Sequence, residues 1–272
     1  MNAFERARSN ARAASVDPQQ RNRLWWETLP MTYEDWEASQ RSQAARTEDF
    51  LANNPWLGKL NFSALRRQKV LVVGCGTGPE ACLFAKAGAS TTAIDLTSVA
   101  TRLAAINARQ QGLDVFLCQM DAERLAFRPG AFDYAFAWGV LHHSATPTRA
   151  FGEVNRVLVP GGRGLIMVYN RLSLRYYLKG LYWLVVKGKI MRVGCSLSKV
   201  QRYFTDGYYH RHFSAGELTR HLSESGLMVT RVSITHMAKK MIPLIPRRLD
   251  DYLKRTVGWL LVVEFVKQPL GI

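Results

Sequence analysis

Short apolar runs alternate with amphipathic stretches through the middle of the chain. Val70-Leu71-Val72-Val73 is an uninterrupted apolar run that ends in glycines, the pattern of a strand buried on both faces. Pro79 to Ala87 then reads as a helix, Ser90 to Ile94 as a second strand and Ser98 to Gln110 as a second helix. Val115 to Gln119 and Phe132 to Ala137 read as the third and fourth strands. Thr146 to Leu158 reads as a helix closed by Pro160-Gly161-Gly162, and Arg163 to Tyr169 as the fifth strand. A β-α-β-α-β rhythm at these spacings predicts a doubly wound, mostly parallel α/β sheet.

The rhythm breaks over residues 171–212, which are aromatic and basic and show no strand of the same type. Ser214 to Ser225 reads as a helix, with Ser214 as N-cap and Glu217 completing a capping box. Met228 to Thr235 and Trp259 to Val266 read as two late strands, an antiparallel edge pair that brings the sheet to seven. Residues 238–256 between them are basic and punctuated by proline. At the other end, residues 1–23 read as a loose or weakly helical arm. Residues 24–66 read as one or two capping helices with a turn at Asn53-Asn54-Pro55. Four segments follow: an arm or lid over 1–68, a core over 69–170, an inserted helical cap over 171–213, and the rest of the core over 214–272.

Composition narrows the class. The chain has 272 residues, 47% hydrophobic and 21% charged, so disorder is excluded and a core can form without disulfides or a structural metal. No apolar run approaches the ~18 residues of a membrane span. The Arg-rich N-terminus has no apolar core of the kind a secretory signal needs. Four cysteines without a CxxC pair predict a reduced, cytoplasmic compartment and no zinc site. The net charge of +16 is uneven: residues 170–272 hold 18 Lys and Arg against 6 Asp and Glu. That half is either a basic soluble surface or one that meets an anionic partner.

The sharpest local signal is Val73-Gly74-Cys75-Gly76-Thr77-Gly78, which leaves a buried strand and opens a helix. Gly74 and Gly76 allow a tight turn and a close ligand approach, and Gly78 permits close helix–strand packing. Asp95, 21 residues after Gly74, ends the next strand, where a carboxylate can accept both hydroxyls of a ribose. A plain glycine turn and a dinucleotide loop are the competing readings, although the spacing is GxGxG and not GxGxxG. No Gly-Lys-Ser/Thr follows, which disfavours a phosphate loop.

VLVVGCGTGPEA, AIDLT, QMDAERLAF and FDYAFAWGVLHHSATPTRAFGEVNRVLVPGG, in that order, resemble the class I S-adenosylmethionine-dependent methyltransferases. Within them the chain is most similar to the group of ubiquinone/menaquinone C-methyltransferases and small-molecule methyltransferases. The resemblance implies the Rossmann-like methyltransferase fold and S-adenosyl-L-methionine as cofactor. It implies that Gly74, Cys75, Gly76 and Gly78 line the methionine and ribose portion and that Asp95 takes the ribose hydroxyls. Leu96 would pack on the adenine, Asp121 accept its amino group with Ala122 alongside, and Trp138 and Gly139 lie near the methionine end.

Methyl transfer from a sulfonium needs alignment, exclusion of water and sometimes removal of a proton. His142 and His143 are the candidate bases, with loop structuring as the competing role. His210 and His212 are a second possibility. With Tyr176, Tyr177, Tyr208 and Tyr209 they make up the aromatic substrate cap. No carboxylate or cysteine is spaced to complete a metal site with these histidines. Residues 172–192 combine apolar residues with spaced Lys and Arg. They read as a lid over the pocket or, alternatively, as a helix making a peripheral membrane or lipid contact. The expected reaction is methylation of O, N or C on a small, largely apolar or aromatic molecule such as a natural product, quinone or lipid. The alternative is an RNA or protein methyltransferase using the basic C-terminal half. Nucleic acid is disfavoured, because no Asn/Asp-Pro-Pro-aromatic motif follows the fourth strand and no RNA-binding module is appended.

Overall fold

The computed structural model describes residues 17–28, 43–188, 195–201, 210–241 and 244–269. Eight strands form one open sheet. They are β1 (Lys69–Val73), β2 (Ser90–Asp95), β3 (Phe116–Gln119), β4 (Phe132–Trp138), β5 (Leu158–Asn170), β6 (His212–Phe213), β7 (Leu227–Thr235) and β8 (Leu260–Lys267). The order is β3-β2-β1-β4-β5-β8-β7, with the two-residue β6 paired to the end of β5. β1 to β5 run parallel, and β7 and β8 close the edge antiparallel. The path carries the seven strands expected of the class I methyltransferase fold.

The continuous apolar runs bury both faces. On β1, Leu71 and Val73 point into one core cluster with Phe151, Val154 and Leu222, whereas Val70 and Val72 point into the other with Phe84, Ala104 and Trp56. The helices follow from this: α3 (Pro79–Lys86) and α4 (Ser98–Gln110) lie on the second face. α5 (Pro147–Val157) and α8 (Ala215–Glu224) lie on the first. The strand order reverses between β1 and β4, so a crevice opens at their carboxyl ends.

Several expectations need correction. Pro160-Gly161-Gly162 does not close a helix, because it lies inside β5. Leu158 already pairs with Phe132, the chain bulges with Gly161 at φ +75°, and pairing resumes at Tyr134 with Arg163. The cap does not run unbroken to residue 213, since its end, His212–Phe213, joins the sheet beside Tyr169 and Asn170. The segment 238–256 contains a helix, α9 (Arg247–Thr256), started by Pro246. Its register is fixed by the buried Asp250, which accepts from Met241 N at 2.8 Å and pairs with Lys254 at 2.8 Å. Only half of the capping box forms: Ser214 accepts from Glu217 N, but the Glu217 carboxylate turns to Arg211 and Arg171. At the N-terminal end, α1 (Pro18–Thr28) runs across the expected boundary at 23/24, and α2 (Gln43–Asn53) ends at the expected turn.

In the sheet, Gly164 pairs with both Ala135 and Phe265. A Cβ there would sit 2.4 Å from the Phe265 ring and 2.5 Å from Ala135 O, so the ring occupies the space a side chain would need. Gly152, inside α5, has nothing within 4 Å of its would-be Cβ. Gly164→Ala should therefore cost ~1–3 kcal/mol by overpacking, and Gly152→Ala should add ~0.5–1 kcal/mol through helix propensity. Urea midpoints of the two variants should move in opposite directions.

Candidate functional site

The glycine loop is held from three sides before any ligand enters. Gly74 N and Cys75 N both donate to Ile94 O, at 2.8 and 2.9 Å. Gly76 N donates to Asp95 Oδ2 at 3.0 Å. Asn107 of α4 donates to Thr77 O at 2.9 Å. The glycines are required where they stand: Gly74 has φ +72°, and a Cβ would meet Val140 at 2.3 Å. Gly78, at φ +88°, lets Ala104 of α4 approach to 2.9 Å of the same hypothetical atom. Asp95 Oδ1 also accepts from Thr97 N and Thr97 Oγ1, both at 3.0 Å, and Thr97 caps α4.

The loop borders a cavity of about 340 Å³ in the β1/β4 crevice. Of the expected cofactor residues, Gly74, Cys75, Gly76, Asp95, Leu96, Ala122, Trp138 and Gly139 line it, as does His143. Gly78, Asp121, His142, Tyr176, Tyr177, His210 and His212 do not. Tyr208 and Tyr209 lie outside the described residues. Asp121 faces the N-terminal helix instead: its Oδ1 accepts from Gln19 Nε2 at 2.8 Å and from Glu123 N at 2.9 Å.

The cavity also has walls that sequence reasoning missed. Gln19, Asn22 and Trp26 of α1 close it on one side. Asn22 Nδ2 donates to His143 O at 2.7 Å, Ala145 N donates to Gln19 Oε1 at 3.2 Å, and the Trp26 ring meets His143 edge-on at 4.9 Å. Of the two segments expected to cover the pocket, the arm or lid over 1–68 lines it through α1, whereas residues 172–192 contribute none of their described residues to the lining. The signal for α1 was weak because its partners are more than 100 residues distant in sequence.

Glu80, in the first turn of α3, was also missed. It lines the cavity yet is only 7% exposed. Burial, with a smaller contribution from nearby Asp95, pushes its carboxyl up to about 8. Asp95 is likewise raised by burial, against the hydrogen bonds from Thr97 and Gly76 that favour its charged form. No Lys or Arg is among the described lining residues. A cavity with two buried acids, no cation, and loop amides already committed to the protein suits a ligand with hydroxyl donors and a positive charge. It suits a phosphate poorly.

The His pair belongs to a larger ring cluster. His142 is fully buried, 4.2 Å from the His143 ring and 3.9 Å from Tyr169. His210 and His212 approach the same Tyr169 at 5.8 and 5.5 Å. Arg211 N donates to His142 O at 2.8 Å and so ties the two His pairs together. Neither ring nitrogen of His142 has a partner, and burial together with the neighbouring His143, His210 and His212 drives its pKa well below the usual value. His142 is therefore neutral, and His143 is the ring of the pair that reaches the cavity. Despite the four rings, no group of three or more His, Cys, Asp or Glu among the described residues is placed to hold a metal ion.

Residues 71–166 match the family model described as "Methyltransferase domain". The ubiquinone biosynthesis O-methyltransferase of Methylococcus capsulatus is 36% identical over 117 residues, which cover 43% of this chain and 49% of that protein. The enzyme of the same name from Nitrosococcus oceani is 31% identical over 117 residues, covering 43% and 50%. The chain thus spans about half the length of these curated relatives. Among solved structures, an S-adenosylmethionine-dependent methyltransferase of Methanosarcina mazei superposes with a TM-score of 0.55 at 24% identity, covering 75% of this chain and 94% of the other. The cyclase SpnF superposes with a TM-score of 0.60 at 18% identity, covering 95% and 98%. These likenesses show the fold.

The Glu80 carboxyl gives the ligand-free protein a measurable pH dependence. The folded chain keeps a proton that the unfolded chain releases near 4.5. Stability from this group is therefore complete below pH 4.5 and falls as pH rises to about 8, by an amount on the order of a few kcal/mol. Melting temperatures measured from pH 5 to 9 should show this slope in the wild type, and Glu80→Gln should flatten it.

Proposed function

We propose that this chain, a class I S-adenosylmethionine-dependent methyltransferase by its fold and by the domain match over residues 71–166, moves a methyl group to a small, largely apolar or aromatic acceptor. The observation that carries the reading is the acidic, cation-free cavity at the glycine loop, with Asp95 held at its rim by Gly76 N. S-adenosylmethionine brings a sulfonium, an ammonium and a ribose diol, and its sulfonium makes the methyl carbon electrophilic. In this reading Asp95 accepts the ribose hydroxyls with the lone pairs left free by Gly76 and Thr97. Leu96, Met120 and Ala122 form the apolar wall for the base. Glu80 gives up its proton when a cationic group enters beside it, because the cation favours the charged carboxylate.

The acceptor end is the side formed by Trp138, Gly139, Leu141, His143 and Trp26. His143 takes the acceptor's proton or orients it, and His142 holds the ring behind it. α1 excludes water, which displacement at a sulfonium requires. The relatives' name, ubiquinone biosynthesis O-methyltransferase, supports a small aromatic acceptor for this domain.

Calorimetric titration of S-adenosylmethionine and S-adenosylhomocysteine should give saturable binding to the wild type. Asp95→Asn, which keeps the size but loses the charge, should weaken it ~10–100-fold. No binding by folded wild type would overturn the reading. With phenolic acceptors, His143→Ala should lower kcat by ~10²-fold or more while leaving S-adenosylhomocysteine affinity within ~3-fold. An unchanged kcat and pH profile would remove His143 from proton transfer.

A further inference from the structure

The helix α6 (Leu174–Val185), which follows β5, has an inner and an outer apolar face. The inner face is accounted for. Tyr176, Gly180 and Leu184 are buried against α7 (Leu197–Val200), and a Cβ on Gly180 would meet Leu197 at 2.7 Å. Gln201 Nε2 donates to Tyr176 O and secures the contact. The outer face is not covered by any described residue. Leu178 is 59% exposed, Leu181 56% and Val185 65%, with Tyr177, Tyr182 and Val186 beside them. The positions recur at i, i+3, i+4 and i+7, so they form one stripe along the helix and its end.

The charge around this stripe has one sign. No Asp or Glu occurs anywhere from residue 154 to residue 205, whereas Lys179 and Lys187 stand on or beside the helix; Arg175 is turned inward, its guanidinium 3.3 Å from the Trp259 ring centroid. Lys187 lies 5.7 Å from the Tyr182 ring centroid, at the end of the stripe. A second element of similar character adjoins it: Leu174 N donates to Val257 O at 3.0 Å, just past α9. There Leu249 and Tyr252 are exposed beside Arg247, Arg248 and Arg255, with Asp251 the one exposed acid among the described residues of α9.

From this pairing of an uncovered apolar stripe with a predominantly basic margin, we infer that α6 seats the protein on an anionic lipid surface. The apolar side chains enter the acyl boundary and the cations meet the headgroups. A second copy of the chain fits less well, because a two-fold pair would stack the same cations against each other. A nucleic acid would meet the cations but leave the aliphatic stripe in water. The helix connects to the acceptor end through two rings: Tyr176 contacts His212 at 4.8 Å, His212 contacts Tyr169 at 5.5 Å, and Tyr169 meets His143 at 5.9 Å.

The test is flotation of the full chain with phosphatidylcholine vesicles, with and without ~30% phosphatidylglycerol, a composition chosen to give a strong anionic surface. Wild type should float with the anionic vesicles, and rising salt should reduce but not abolish the association. Leu181→Asp/Val185→Asp should bind at least ~10-fold more weakly. Both positions are exposed, so its melting temperature and S-adenosylhomocysteine binding should stay as in the wild type. Lys187→Gln should weaken binding to anionic vesicles alone. Failure of wild type to float at low salt, or equal flotation of the double Asp variant, would overturn the inference. So would a wild-type dimer in sedimentation velocity that the double Asp variant splits, since a second copy would then own the stripe. Loss of cofactor binding by wild type would count against the proposed function and leave this surface untouched.

Discussion

The 3.0 Å hydrogen bond from Gly76 N to the Asp95 carboxylate joins the first two strands of the sheet at the point where the chain must leave both. It fixes the loop after β1, and through Thr97 the same carboxylate starts α4. α4 in turn returns Asn107 to Thr77 O and lays Ala104 against Gly78. The loop is therefore set by the fold and needs no ligand to organise it. What remains for a ligand is the other half of Asp95's hydrogen-bonding capacity. Holding a carboxylate partly out of water costs free energy that the three donors do not fully offset, which is why its pKa stays raised. Such a group gains from any further donor that arrives without competing water.

The second dependence runs through α1. Gln19 bonds to Asp121 and to Ala145 N, and Asn22 bonds to His143 O. These contacts bridge the end of β3 and the turn after β4, the two segments that bound the cavity on opposite sides. A ligand that fills the space beside Trp26 would touch α1 as well as the two loops, so its binding would add to the contacts that hold α1 in place.

Much of the core was legible in sequence, and the reasons are local. Val70–Val73 and Phe132–Trp138 are strands buried on two faces, so each reads as a short, mostly apolar run ended by glycine. The glycine loop and Asp95 could be read together because a strand, a turn and a helix fix their spacing. What was misread depends on partners distant in sequence. The hydrogen bond that Asp121 Oδ1 accepts from Gln19, 102 residues away, has no trace in the local sequence. His212–Phe213 is too short to announce a strand and is one only because Tyr169 and Asn170 are beside it. α9 could not be read within the basic, proline-punctuated segment 238–256 because its single buried anchor is Asp250, an acid whose burial is offset by Lys254 and Met241 N. Glu80 carried no sequence signal at all, since a Glu in the first turn of a helix is ordinary. Only its burial in the cavity sets it apart.

The distribution of charge raises a question of its own. A chain of net charge +16 surrounds a cavity whose described charged lining is Asp95 and Glu80. A positive exterior would seem to oppose the entry of a cationic ligand, and the distance over which each field acts decides the matter. At physiological ionic strength, the field of the exposed cations of the C-terminal half is screened over about 8 Å. The two buried acids act in a low-dielectric space at contact distance, where screening is weak. The two charge systems are thus nearly independent. The exterior can attract an extended anionic surface, where many weak contacts add together, while the interior selects a small cation one site at a time. The same separation explains why net charge alone pointed equally to nucleic acid and to lipid. The exposed side chains of α6, and not the charge, distinguish between them, because only a partner with an apolar interior removes Leu178, Leu181 and Val185 from water.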